Sequence, residues 1–258
     1  MSSTQSSAAV LPPFSPTQVR LLLNAERLFA TKGIGATSLR EIATAAGTSN
    51  NNAVQYHFGS KAALLNAIYF HRIACLEPIR SEMLARAEER GVAAAPAVLL
   101  QILCLPHVSL AAEDGSHPYA GFLVQYVTRH WHESLAEVAR ETQRVAPTLH
   151  GLVARLAAKV EGTSDTLARA RVMLCNLMFL NALLRWDNIG RHASDLSLKA
   201  VLDDALTAAR AALCAPSNED ATAPDLFADL FPGLLSQPVA SLTHCEAVGA
   251  PEPRVTTN

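Results

Sequence analysis

Apolar residues recur at three- and four-residue spacing along most of this chain, while alternation in twos, the mark of a half-buried strand, is nearly absent. The pattern predicts an all-α fold. A first helix, Thr17 to Lys32, sets Val19, Leu22, Leu23, Leu28 and Phe29 on one broad face and stops at Gly33. A short second helix spans Ser38 to Ala46. Ser38, with Glu41 three residues on, forms a capping box in which each side chain serves an amide left without a partner at the helix start, and Gly47 ends the helix. A third short helix follows at about Asn51 to His57. Gly59 and Ser60 then turn the chain, and Ser60 caps a fourth helix from Lys61.

Beyond residue 76 the same periodicity predicts helices at about 78–90, 97–112, 117–130, 134–145, 147–161, 164–189 and 195–214, with Pro78 kinking a helix that continues from Lys61 as the alternative to a break. Residues 1–15, rich in Ser, Pro and Ala, read as a disordered N-terminal arm. Residues 215–258 read as a mostly disordered acidic tail with one apolar patch, "PDLFADLFPGLL", able to fold on a partner or on the body. The predicted organisation is a small head, 16–76, with a helix-turn-helix at about 38–58, and a larger helical body, 77–214.

Half of the 258 residues are hydrophobic and 17% are charged, enough for a sizeable core. The net charge of −2 is uninformative, but its distribution is not. Residues 16–76 carry six Lys/Arg against two acids, a net +4, and residues 215–258 carry one Arg against six acids, a net −5. A basic head and an acidic tail point to a nucleic-acid contact confined to the first quarter. The five cysteines, at 75, 104, 175, 214 and 245, are odd in number and lack zinc-site spacing, so they read as small core residues in a reducing compartment. The N-terminus has no basic-then-apolar signal order, and Pro96, Gln101, Pro106 and His107 interrupt the apolar run from Val92 to Ala112. The expected setting is the cytoplasm, at the nucleoid, with no membrane contact.

The stretch "AAGTSNNNAVQYHFGSKAALL", Ala45 to Leu65, carries the chemistry. Two short helices joined by a tight turn at Gly47, within a three-helix unit, make a helix-turn-helix, whose second helix enters the DNA major groove. Three consecutive asparagines gain nothing from packing, but Asn and Gln both donate and accept hydrogen bonds and so pair with adenine edges or with phosphates. Asn50, Asn51, Asn52 and Gln55 then form a reading surface. Ala53 and Val54 face inward or meet a thymine methyl, Tyr56 offers its hydroxyl to a phosphate, and Phe58 packs under the fourth helix. Lys61, in the first turn of that helix, adds a sequence-independent and salt-sensitive contact.

These residues also resemble a known family. "LLLNAERLFATKG", "GIGATSLREIATAAG" and "AVQYHFGSKAALL" together resemble the DNA-binding domain of the tetracycline-repressor (TetR) family over about the first 76 residues. The chain departs from the family at one place. Members usually separate the turn glycine from the Phe by ten residues, whereas Gly47 to Phe58 spans eleven, and the extra residue falls in "TSNNN". Gln55 also stands where the family often has an aromatic that meets the phosphate backbone. The resemblance implies a DNA-facing set of Thr37, Ser38, Arg40, Ser49, Asn50, Asn51, Asn52, Gln55, Tyr56, His57 and Lys61. It further implies a transcriptional regulator, most often a repressor, released from a palindromic double-stranded operator when a small, largely apolar effector binds the body. The dimer would form through the helices at about 164–189 and 195–214. "LARARVMLCNLMFLNALL" is apolar on nearly every side after Arg171, and Leu198, Val201, Ala205, Ala209 and Ala212 make a stripe rich in small residues.

Other patterns carry less. The two histidines of "HWH", 130–132, point to different helix faces, and no third ligand stands nearby in sequence, so no metal or cofactor is expected. Ser109, His107 and Asp114 lack a nucleophile-elbow context, and no enzymatic activity is expected. Tyr119, Gln125, Tyr126, Arg129, His130, Trp131, Asn176, Asn181 and Arg185 are candidate pocket-lining groups, each read by itself first as a satisfied structural residue. The rival readings are an activator, a protein acting through a partner docked on the C-terminal region, and a small-molecule-processing enzyme with a helix-turn-helix.

Overall fold

The computed structural model describes residues 14–129, 135–190 and 196–216. His130, Trp131, residues 1–13 of the arm and residues 217–258 of the tail, with its apolar patch, lie outside the described residues. Among the described residues there are ten α-helices and no strand. The first four are α1 (Pro16–Lys32), α2 (Leu39–Ala45), α3 (Ala53–Phe58) and α4 (Lys61–Glu89). After α5 (Pro96–Cys104) comes a 3₁₀ helix, Leu105–Leu110, and then α6 (Pro118–Arg129), α7 (Leu135–Val145) and α8 (Pro147–Ala157). The series closes with α9 (Asp165–Arg185), a π turn at Trp186–Gly190, and α10 (Leu198–Leu213).

Local chemistry sets most of these boundaries. Serines 15, 38, 60, 164 and 197 each cap a helix by accepting a backbone N–H three residues on. Such a cap contributes about 1 kcal/mol. Proline, which has no N–H to lose, opens α1, α5 and α8. At Ser38 the capping box is complete: its hydroxyl accepts from Glu41 N (3.2 Å), and Glu41 Oε2 accepts from Ser38 N (2.8 Å). With Lys32 Nζ 3.0 Å away on the same carboxylate, these bonds hold the Glu41 pKa down to about 2.

Tertiary packing moved several predicted features. Pro78 lies inside α4, which runs unbroken for 29 residues, about 43 Å at 1.5 Å per residue, and so belongs to both head and body. The predicted 97–112 helix tightens to 3₁₀ from Leu105, where Pro106 supplies no amide for the α-helical ladder. Phe14 and Ser15, assigned to the disordered arm, are anchored: the Phe14 ring packs 6.3 Å from Phe58 and 5.7 Å from His71, and Ser15 caps α1. The buried face of α1 is Leu21, Leu22, Ala25, Glu26 and Phe29, while Leu23 is 40% exposed. A charged residue takes a core position because it has a partner there. Glu26 Oε2 and Oε1 accept from Arg72 Nε and Nη2, both at 2.6 Å. Burial alone would lower the Arg72 pKa, but the bonds and charge of Glu26 raise it above the ordinary arginine value.

The body is built around α9, which packs on α10, α8, α6 and α5. With the π turn, Asp165–Ile189 is long and apolar enough to cross a membrane by length and composition, but Ala168, Val172, Cys175, Phe179, Leu180 and Leu183 are at most 3% exposed within the body. Its other face leaves Leu167 (62%) and Leu174 (59%) exposed. The small-residue stripe of α10, expected at a dimer interface, is used in part within the chain. Ala205 and Ala209 are buried, and the Ala209 carbonyl accepts from Cys175 Sγ at 3.2 Å, because α10 uses its small residues to approach α9 of the same chain.

Two measurements check this account. Replacing Glu26 by Gln leaves the Arg72 charge without its partner and should lower the unfolding free energy by about 3–5 kcal/mol in urea titrations, whereas Glu26→Leu with Arg72→Met should cost less than either single change. The Glu41 pKa is depressed on folding, so its contribution is complete above the unfolded value and is lost as pH falls through the folded one. The Glu41 carboxyl resonance should therefore titrate near 2, and stability should decline from about pH 4.5 downward in the wild type but less in Glu41→Gln.

Candidate nucleic-acid interface

The turn between α2 and α3 is a seven-residue corner, Ala46 to Asn52, built by its own hydrogen bonds. Gly47 has φ +69°, a conformation a Cβ would strain, and its N–H reaches the Thr44 carbonyl at 3.0 Å. Thr48 N–H bonds the Ala43 carbonyl (3.1 Å), and its hydroxyl donates to the Asn50 carbonyl (2.9 Å). That carbonyl also accepts from Ala53 N (3.0 Å), while Asn50 Oδ1 accepts from Asn52 N (2.9 Å). Asn50 therefore pins the turn through both of its oxygens. This is how the fold absorbs the extra residue in "TSNNN", and why α3 begins at Ala53 and not at Asn51.

Inward, α3 is seated by Ala53 (4% exposed) and Val54 (0%), so Val54 does not meet a base. Outward, Ser49, Asn51, Asn52, Gln55 and Tyr56 are exposed, and His57 is half-buried against the Tyr56 ring, 5.0 Å away. Tyr56, at 81% exposure, holds an aromatic ring almost entirely out of the core. Ser38 and Arg40 lie exposed at the start of α2, the Ser38 hydroxyl already engaged in the capping box.

Two members of the predicted DNA-facing set are used inside the fold. Thr37 is 1% exposed, and its hydroxyl donates to the Gly33 carbonyl at 2.9 Å, so its side chain is removed from the surface. Lys61 Nζ donates to the Thr37 carbonyl at 2.7 Å and lies 5.7 Å from the centre of the Phe29 ring. Burial lowers its pKa from the ordinary value, against the pull of the Glu41 charge. Lys61 thus closes the corner between α1, α2 and α4 and has at most part of its ammonium left for an outside acceptor. The charges sort in the same way. Glu26 is matched by Arg72 and Glu41 by Lys32, which leaves Arg20, Arg27, Arg40 and Lys61 as the head's unopposed positive charges, the three arginines exposed.

The candidate pocket residues separate into three groups. Arg129, Asn181 and Arg185 are exposed, and Asn181 Nδ2 only donates back to the Leu177 carbonyl at 2.8 Å, so these three line no interior. Gln125 is a clamp between body and head: its Nε2 donates to the Phe29 carbonyl (2.8 Å), and its Oε1 accepts from Ile34 N (3.0 Å). One turn earlier, a Cβ on Gly121 would stand 3.0 Å from the Ala30 Cβ, so α6 lies directly against α1. Tyr119, Tyr126 and Asn176 are interior. Tyr126 donates to Asn66 Oδ1 at 2.7 Å, and Asn176 Oδ1 accepts from Cys104 Sγ at 3.7 Å. The Ser109–His107–Asp114 arrangement does not form: Ser109 donates to the Pro106 carbonyl (2.7 Å), and Asp114 accepts from Ser116 (2.6 Å). Sequence reading missed Thr48, the Glu26–Arg72 pair and the clamping role of Gln125. Only the first had a local signal, a threonine two residues before an asparagine in a turn.

Residues 21–68 match a family model described as bacterial regulatory proteins, tetR family. No curated protein sequence matches the chain. Among solved structures, the chain is similar to a TetR family transcriptional regulator, PfmR, from Thermus thermophilus, at 21% identity over 79% of this chain and 99% of that one, TM-score 0.41. It is also similar to a protein of Mesorhizobium loti put forward as a TetR-family transcriptional regulator, at 16% identity over 76% of this chain and 95% of that one, TM-score 0.41. The head, at residues 21–68, is thus similar to the domain that defines the bacterial regulatory proteins of the tetR family.

Proposed function

We propose that this chain acts in the cytoplasm, at the nucleoid, as a homodimeric repressor that is released from a palindromic operator when a small, largely apolar effector binds the body. The observation that carries the DNA reading is the outward row on the α2–α3 corner. Asn51, Asn52 and Gln55 are exposed while the inward residues of the same helix are fully packed. Amides that the fold does not need match the donor and acceptor pattern of base edges, and Gln55 and Asn52 are the base readers in this scheme. Arg40, Tyr56 and the free part of Lys61 meet phosphates, and Asn50 positions its neighbours.

The outer face of α9 supports a dimer. Leu167, Leu174 and Met178 lie seven and four residues apart on the side away from the core, exposed by 62%, 59% and 38%. Covered by a second copy, this face would bring two heads to adjacent major grooves, about 34–36 Å apart. The Gln125 clamp and the close α6–α1 contact support the release step, since a shift of α6 on effector binding would move the end of α1.

Substitutions on the corner separate base reading from phosphate contact. Gln55→Ala and Asn52→Ala should each cost about 1–3 kcal/mol on the operator and relax preference at single base pairs, with little change on random DNA. Arg40→Ala should weaken binding to all sequences alike and reduce the salt slope by about 1. Electrophoretic shifts on specific and random duplexes distinguish the two patterns, and equal losses everywhere for all three variants would refute the assignment. Leu174→Glu should convert the dimer to monomers in sedimentation runs while the helical circular dichroism signal is retained. A dimer that survives the change would exclude this face.

A further inference from the structure

We propose that Arg80, His107 and Tyr119 form a buried site for the carboxylate of a small effector. The inference rests on the reading of the body as the effector-binding part and names the chemistry of that site. Arg80, in the middle of α4, is 1% exposed, and its one hydrogen bond is a long one, Nη2 to the Leu103 carbonyl at 3.4 Å. Its Nε and Nη1 have no partner. Its charge acts on two further buried side chains whose polar atoms are in the same condition: His107 (4% exposed) on the 3₁₀ helix, through both ring nitrogens, and Tyr119 (1%) at the start of α6, through its hydroxyl, their rings 5.9 Å apart. His117 Nε2 is also without a partner, although its Nδ1 is fixed 2.9 Å from Asp187 Oδ1.

Buried polar groups are almost always paired, and a buried charge left alone is the least tolerated case. The acids near this cluster hold other bonds, although the charge of Glu77 still acts on Arg80. Glu26 is bound to Arg72, and Glu77 accepts from Thr148 N (2.5 Å) and Leu149 N (3.3 Å) at the start of α8. Burial and the neighbouring Arg80 and His117 push the His107 pKa down to about 3, so the ring is neutral and holds one N–H to donate. Guanidinium, imidazole N–H and phenol are all donors. Their complement is an acceptor with several lone pairs and a single negative charge, which a carboxylate supplies. Water would satisfy the hydrogen bonds but set no charge against the guanidinium beyond that of Glu77, and a phosphate dianion would exceed the single charge of Arg80.

The test uses the full chain without DNA. Formate, acetate, benzoate and octanoate are each compared with the corresponding primary amide at fixed ionic strength, by thermal unfolding and by the Arg80 Nε–H resonance, assigned through its loss in Arg80→Met. At roughly ten times its Kd, at least one carboxylate should raise the Tm by about 3–6 °C and shift that resonance, while its amide does neither. Arg80→Met should abolish the response, and Tyr119→Phe, which keeps the ring, should weaken binding about fivefold. Silence from all four carboxylates, equal shifts with the amides, or a response retained in Arg80→Met would overturn the proposal. Operator release by the binding carboxylate is measured separately, so failure of the DNA reading would leave the thermal response intact.

Discussion

The paired burial of Glu26 and Arg72 is the constraint on which the arrangement of this protein depends. A carboxylate on the core face of α1 is tolerable only with a cation against it, and Arg72 meets it with two bonds of 2.6 Å. The same guanidinium lies 6.0 Å over the ring of Tyr119, so the pair joins α1 and α4 to the start of α6. Turning α1 by even one residue would carry Glu26 away from Arg72, and the guanidinium would lose its partner. The head is thereby fixed in register on the long helix it shares with the body, and one turn further on Gln125 fastens the C-terminal end of α1 to α6.

Within the head, the α2–α3 corner owes its shape to what lies behind it. A six-residue helix has no stability of its own. Ala53 and Val54 seat it, Asn50 and Thr48 close its turn, and Lys61 ties its successor, α4, to the carbonyl of Thr37. Once these groups are engaged, the polar atoms that remain point outward together. Base reading requires such a division of labour, because a side chain that also holds the fold cannot adjust to a groove.

The body applies the same rule to the opposite end. α9 is apolar on both sides, one side being the interior and the other bearing Leu167, Leu174 and Met178. Against that apolar background Arg80 Nε and Nη1, both ring nitrogens of His107, His117 Nε2 and the Tyr119 hydroxyl stand out as buried polar atoms without an internal partner. Polar groups that are fully satisfied specify a fold. Those left open in the interior define what can be received there.

Much of the architecture was legible along the chain because its causes are local. Serine caps, the Ser38–Glu41 box, Gly47 and the apolar periodicity all act within a few residues, and most of the helices they imply are found, the exceptions being the run through Pro78 and the tightened turn after Cys104. The outward row of Asn51, Asn52, Gln55 and Tyr56 was legible for the same reason, being a polar segment between two packed ones. Thr37, Lys61, Gln125 and Arg80 were not. Lys61 finds its acceptor 24 residues away and Gln125 finds one of its own 96 residues away, and no periodicity encodes such distances. The order of residues thus determined which segments become helices and where they begin. Only the three-dimensional packing decided which polar side chains hold the molecule together and which are left for a partner, because hydrogen bonds are satisfied in space and not along the chain.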